Sequence, residues 1–157
     1  MMVYPVLALW ACLCALQDAN QKKISNYLTL SVCAIALARL FVDGSTFIGA
    51  SPMQAAIAVI CALLITLPGY LTGRLGAGDV KMLLALSLAT DPMHLLWTLA
   101  LASLVMLAWA LSINKIWQLV PALIRKNVNH LSPEYIKDPP YAPFIFIGFL
   151  FSSWLLI

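Results

Sequence analysis

The chain has 157 residues, of which 63% are hydrophobic and only 10% are charged, and its mean hydropathy is +0.96. Because soluble domains carry about 25% charged residues, this composition excludes a water-soluble globular enzyme, a disordered chain and a disulfide scaffold. The net charge of +3 comes from only nine Lys and Arg residues, which argues against a nucleic-acid partner and leaves an integral membrane protein.

Long uncharged runs predict an all-α bundle of about six transmembrane helices. A helix needs about 20 mainly apolar residues to cross the bilayer core, and backbone in lipid must satisfy its own hydrogen bonds. In chain order, the predicted spans are 1–17, 26–42, 54–71, 78–90, 94–113 and 142–157. The first span lacks the charged start of a signal peptide, so we expect it to remain as a helix. We predict one transmembrane domain over residues 1–157.

The fourth span is too short to cross a membrane alone, since its residues reach only about 20 Å at 1.5 Å each. Either the bilayer thins there, or the helix continues into the glycine-rich stretch before it, which would place Asp79 below the membrane surface.

The segment after the fifth span has two interpretations. Residues 114–125 carry apolar side chains at helical spacing between basic ends, which is typical of an interfacial helix on an anionic membrane surface. Alternatively, the segment extends the fifth span, with Pro121 as a kink. The polar, proline-rich residues 127–140 are predicted to form a loop.

The basic residues predict the orientation, because cytoplasmic loops carry an excess of Lys and Arg. If six helices alternate, eight basic residues fall on one side: Lys22, Lys23, Arg74, Lys81, Lys115, Arg125, Lys126 and Lys137. Asp43 and Asp91 mark the other side, and Arg39 can snorkel towards that surface. Both termini are therefore predicted to lie outside the cytoplasm.

Two carboxylates at the cytoplasmic boundary form the candidate site. Asp18 ends the first span and Asp79 opens the fourth, and an ionisable residue in a span is a functional hypothesis by default. For Asp18 the plain alternative is a helix-ending residue near Lys22 and Lys23. Two neighbouring carboxylates can share one proton, so that one activates water while the other donates to a substrate carbonyl. This chemistry needs no metal and no cofactor, and we predict neither.

Three glycines lie just before or beside the second acid: Gly73, Gly76 and Gly78. Glycines permit unusual backbone angles and close approach of another backbone. We expect this loop to admit an extended substrate peptide beside Asp79, although a flexible turn would have the same composition.

Three sequence blocks resemble the type IV prepilin peptidases, the GxGD class of intramembrane aspartic proteases. The blocks are Asp18 followed by residues 22–30, residues 76–83 with the sequence GAGDVKML, and residues 140–144 with the sequence PYAPF. The resemblance implies that Asp18 and Asp79 are the catalytic aspartates. It also places Lys81 in a family motif, and we predict that Gly76, Gly78 and Lys81 bind substrate.

The sequence departs from the family pattern in two places. Ser25 stands where the family usually has proline, which we expect to loosen the loop without touching the acid. Larger members also carry a cytoplasmic cysteine-tetrad domain and N-methylate the new pilin end. The four cysteines here all fall inside hydrophobic spans, so no methyltransferase domain is expected. The chain is similar to the short members that serve Flp-type, tight-adherence pili.

The resemblance implies an aspartic endopeptidase of the bacterial inner membrane that removes the cytoplasmic leader of a prepilin or pseudopilin. A multi-pass chain would hold its active site near the cytoplasmic face. The alternatives are a small channel or proton-coupled transporter subunit that uses the carboxylates, and a structural membrane subunit. A carrier more often places its acids near the midplane. We interpret His94 and His130 as incidental rather than as ligands.

Overall fold

The computed structural model describes residues 3–121, 125, 128–136 and 139–156. In this part of the chain every regular element is helical, which confirms the predicted all-α class. Two short 3-10 helices, Asn129–Leu131 and Pro133–Tyr135, lie between the last two α-helices. The α-helices are α1 (Val3–Gln21), α2 (Asn26–Val42), α3 (Pro52–Leu71), α4 (Ala77–Ala89), α5 (Pro92–Leu119) and α6 (Ala142–Leu156).

The outer surface of the bundle is apolar. Helices α3 and α5 are both long and apolar enough to cross a membrane, and α2 and α6 are shorter apolar helices. Large hydrophobic side chains point outward, and Leu64, Leu111 and Trp154 are each at least 70% exposed. Such a surface suits lipid rather than water, so the helices are those of a membrane protein.

The shortest helix, α4, is also the most buried. It begins at Ala77 with Gly76 as its N-cap, so it does not continue back through the glycine-rich stretch. Helices α2 and α3 pack against it. Because neighbouring helices cover α4, its thirteen residues do not have to match the thickness of the lipid. Its buried residues are Asp79, Met82, Leu83, Ala85, Leu86, Ser87 and Ala89.

Helix α5 runs beyond the predicted fifth span, and the extension interpretation is correct as far as the helix end. Val120 is extended, with ψ of 127°, as expected for a residue before proline. The Arg125 Nε–H donates to the Val120 carbonyl at 2.8 Å, which holds the chain at this turn. Residues 122–124, and with them part of the alternative interfacial helix, lie outside the described residues.

Helix α6 approaches α5 closely because small residues line the contact. A Cβ atom added at Gly148 would overlap the Thr98 carbonyl oxygen and lie 2.8 Å from the Ala102 nitrogen. One turn further along, the Thr98 and Ser152 hydroxyls are hydrogen-bonded at 2.9 Å. Helix α6 also packs against α1, so this contact fixes the first residues of α6 beside the end of α1.

A polar cluster ties α1 to α5 at the end of the bundle that holds Asp91. The Asp91 carboxylate accepts from the backbone N–H of His94 at 2.7 Å and lies 3.1 Å from His94 Nδ1. The other ring nitrogen lies 3.3 Å from the Tyr4 hydroxyl. These bonds give the buried His94 side chain a structural role.

Candidate active site

A cavity of about 1020 Å³ lies between α1, α3, α4, α5 and the residues that precede α6. Its polar wall contains two acids and two bases, namely Asp18, Asp79, Lys22 and Arg74. The rest of the wall is largely apolar and comes from α3 and α5, including Ile65, Leu99, Met106, Leu107 and Trp109. The cavity therefore has two carboxylates on its polar wall, next to a largely apolar surface.

The first acid, Asp18, lies in the last turn of α1 and is only 5% exposed. Its Oδ2 accepts a hydrogen bond of 3.1 Å from the backbone N–H of Ala142, the first residue of α6. N–H groups in the first turn of a helix have no partner within that helix, so the carboxylate supplies an acceptor that α6 lacks. Through this bond the PYAPF block, which contains Ala142, is held beside Asp18.

The second acid, Asp79, lies in the first turn of α4 and is 7% exposed. Its carboxylate folds back towards the N-cap residue of its own helix. A Cβ atom added at Gly76 would lie 3.1 Å from Asp79 Oδ2. Gly76 has ordinary extended angles, with φ of −73° and ψ of 149°. Its contribution is therefore space for the carboxylate and not an unusual backbone conformation.

The other two glycines have different roles. Gly73 adopts φ of 71°, which favours glycine because a side chain would be strained there. A Cβ atom added at Gly78 would lie 3.2 Å from the Ile24 Cβ, so Gly78 allows α4 to pack against the α1–α2 turn. Unlike Gly76, Gly78 is not among the residues that line the cavity.

Lys81 holds the same packing contact from the next turn of α4. Its Nζ donates to the Asn26 side-chain oxygen at 2.8 Å, at the start of α2. Lys81 is likewise absent from the cavity wall. Of the three predicted substrate-binding residues, the structure brings Gly76 to the cavity and leaves Gly78 and Lys81 at the helix contact behind it.

Ser25 is tied into the α1–α2 turn and does not loosen it. Its backbone N–H donates to Gln17 Oε1 at 2.8 Å, and its hydroxyl accepts from the Tyr27 N–H at 3.3 Å as the N-cap of α2. A proline at this position would have neither the N–H nor the hydroxyl. Gln17 is thus a residue of the site region that the sequence analysis missed, since nothing local marks a glutamine as the partner of a turn eight residues away.

Within residues 3–121, 125, 128–136 and 139–156, no three His, Cys, Asp or Glu side chains are grouped closely enough to hold a metal ion. All four cysteines are free thiols.

Comparison with known proteins identifies one family. The model of the type IV leader peptidase family matches residues 5–111, which is more than half of the chain and includes both aspartates and the glycine-rich turn. No curated protein and no solved structure matches the chain significantly. The matched range ends within α5, so the two 3-10 helices and α6 lie beyond it.

Proposed function

Because the chain belongs to the type IV leader peptidase family, we propose that it is an intramembrane aspartic endopeptidase that cleaves the cytoplasmic leader of Flp-type prepilins. The family itself supports a leader peptidase that acts on prepilin-type substrates. The aspartic mechanism, the two catalytic residues and the Flp-type substrate are the additional claims of this proposal.

One observation carries the mechanistic claim. Asp18 and Asp79 come from different helices, both side chains are buried, and both line the same cavity. Burial disfavours two negative charges in one cavity, and two carboxylates close enough to interact tend to hold one shared proton. That state contains an acid and a base at once, as peptide hydrolysis requires.

The proposed reaction uses this pair directly. The ionised carboxylate takes a proton from water as the water attacks the scissile carbonyl, and the protonated carboxyl donates to the carbonyl oxygen. When the tetrahedral intermediate collapses, the carboxyl that took the water proton gives it to the leaving nitrogen, a hydroxyl of the intermediate returns a proton to the other carboxylate, and the peptide C–N bond breaks. Gly76 supports this arrangement because it leaves room for the Asp79 carboxylate.

The apolar part of the cavity supports a membrane-embedded substrate. The walls contributed by α3 and α5 would contact the hydrophobic segment that follows a prepilin leader, while the leader lies near Lys22 and Arg74. In this arrangement Gly76 is beside the substrate. Gly78 and Lys81 act indirectly, through the contacts that hold the start of α4 to Ile24 and Asn26.

We further propose a multi-pass topology in the bacterial inner membrane, with six spans, both termini outside and the acids near the cytoplasmic face. Residues 1–157 would then form a single peptidase domain. The positions of Lys22 and Arg74 on the cavity wall support this orientation, since basic residues are enriched on the cytoplasmic side.

Co-expression with candidate Flp-type prepilins, read by intact mass, tests the proposed function. We expect the prepilin to lose the mass of its leader only when the peptidase is present. A channel or transporter subunit would leave the prepilin mass unchanged. An unchanged mass for every candidate, with both proteins in the membrane, would contradict the proposal.

Cysteine labelling tests the topology separately. In a background without the four native cysteines, labels at Lys22 and Arg74 should react from the cytoplasmic side, and labels at Gly44 and Met93 from outside. Reaction of position 74 from outside would put the acids on the wrong face for a cytoplasmic leader.

A further inference from the structure

The segment from residue 128 to 136, here called the strap, contacts the C-terminal end of α1. It contains both 3-10 helices and lies outside the range matched by the family. Its histidine, His130, for which the sequence alone predicts no specific role, contacts the helix that carries Asp18. The Nδ1–H of His130 donates to the Ala19 carbonyl at 3.3 Å.

This bond closes an open position at the end of α1. The last carbonyls of a helix have no N–H partner four residues further along the helix. Lys22 turns the chain with φ of 53°, and its N–H donates to the Asp18 carbonyl at 2.8 Å. In a longer helix the Ala19 carbonyl would accept from the backbone N–H of Lys23, but Lys23 lies beyond the end of α1. The His130 side chain donates to this carbonyl instead.

Ring contacts hold the same junction together. The rings of His130 and Tyr135 meet edge to face, with centroids 4.8 Å apart. The Lys22 ammonium lies 5.7 Å from the centre of the Tyr135 ring, within the range of a cation–π contact. The strap thereby contacts Ala19 in the last turn of α1 and Lys22 just after it. Lys22 itself lines the cavity with Asp18.

We propose that His130 and Tyr135 are positioning residues that hold the Asp18 carboxylate for catalysis by fixing the last turn of α1. This inference rests on the proposed function. A helix end frays when its last carbonyls are unsatisfied, and loss of about 1 Å of precision at a reacting group can lower a rate about 100-fold. His130 and Tyr135 should act on kcat, since they contact the end of α1 and are not among the residues that line the cavity, whereas Ile136 of the strap is.

Four variants separate the hydrogen bond from simple packing. His130→Ala should lower kcat about tenfold while KM stays within about twofold. His130→Asn should restore the rate to within about threefold of the parent, because an amide N–H can donate where Nδ1 does. Tyr135→Phe keeps the ring and should be nearly normal, whereas Tyr135→Leu should resemble His130→Ala. Glu134→Ala is the matched control, because Glu134 is exposed and lies in the same 3-10 helix as Tyr135.

The kinetic outcomes are decisive at matched membrane levels. Parental kcat in His130→Ala, or equal losses in His130→Ala and His130→Asn, would overturn the positioning role. So would a loss confined to KM. If His130→Ala fails to accumulate, the kcat of Tyr135→Leu is compared with that of Tyr135→Phe. Equal kcat values in these two variants would likewise overturn the positioning role.

A labelling experiment keeps this inference distinct from the proposed function. In a chain that lacks the native cysteines, Asp18→Cys should react with a maleimide several-fold faster when His130→Ala is added. Equal labelling rates would overturn the docking of the strap even if the protein is a peptidase. Faster labelling, together with a parent chain that keeps Asp18 and yet cleaves no prepilin, would instead support the docking and reject the proposed function.

Discussion

Replacing Gly76 by alanine tests whether a missing side chain keeps the Asp79 carboxylate in place. The new Cβ would lie 3.1 Å from Asp79 Oδ2, whereas comfortable contacts are about 3.5 Å or longer. The carboxylate must therefore move by a few tenths of an ångström. Because about 1 Å of misplacement can lower a rate about 100-fold, we expect kcat for prepilin cleavage to fall about tenfold.

Serine at the same position separates this steric effect from helix capping. Gly76 is the N-cap of α4, and alanine is a poorer N-cap than glycine, while serine is a good one. Backbone strain does not enter, since any residue can adopt the angles of Gly76. Gly76→Ser carries the same Cβ, so we expect it to lose activity like Gly76→Ala while the stability of α4 is preserved.

The assay is steady-state cleavage of a purified prepilin in detergent or nanodiscs, with unfolding followed in parallel. Ala77→Ser is the matched control, since it adds one atom at the exposed neighbouring position and should leave kcat unchanged. Parental kcat in Gly76→Ser would refute the steric argument and assign any defect of Gly76→Ala to capping.

Three further predictions concern stability. Gln17→Ala should lower the free energy of unfolding by about 1 kcal/mol. In a Ser25→Pro background, which lacks the N–H that donates to Gln17, the same change should have no further effect. A double-mutant cycle measures this coupling. Gly148→Ala should lower the free energy of unfolding by about 1–3 kcal/mol, read by thermal unfolding, because α6 must move away from α5; an unchanged Tm would contradict the close contact. Tyr4→Phe should lower the free energy of unfolding by up to about 1 kcal/mol, because the hydrogen bond with His94 is lost, and should leave the cleavage rate unchanged. A lower kcat in this variant would contradict the purely structural role of the cluster.

The positions of the helices could be read from the sequence because they depend on local patterns. Uncharged runs locate the six α-helices of the described residues, and the capping signals are also local. Ser51 and Gln54, for example, form a capping box before α3. The burial of α4 could not be read in this way. Its apolar composition resembles that of a lipid-facing helix, and only the packing of α2 and α3 against it distinguishes the two.

The site was predictable in its acids but not in its supporting contacts. An acid at the end of an apolar run is visible in the sequence, whereas the bond from Ala142 to Asp18 joins residues 124 positions apart. The same is true of His130, whose partner Ala19 is 111 positions away. The glycines near Asp79 look alike in sequence, yet Gly73 provides a positive φ and Gly76 provides space. These roles depend on neighbours that no local pattern specifies.

Ser25 illustrates the same limit for a single substitution. The absence of the family proline predicts a looser turn, because proline restricts the backbone. The structure instead gives Ser25 a hydrogen bond from its N–H to Gln17 and one to its hydroxyl from Tyr27. The turn is held by bonds that proline could not make, so the departure from the family pattern is compensated locally.

The central claim is that Asp18 and Asp79 act as one catalytic unit. The most direct measurement is the cleavage rate of Asp18→Asn, Asp79→Asn and the double variant at matched membrane levels, with Asp43→Asn as the control. Asparagine keeps the shape and removes the titrating proton, so each single variant should lose cleavage and the double variant should be no worse than either, as for residues that act together. Asp43→Asn should cleave normally. A parental rate in either single variant, or additive partial losses in the double variant, would contradict the claim.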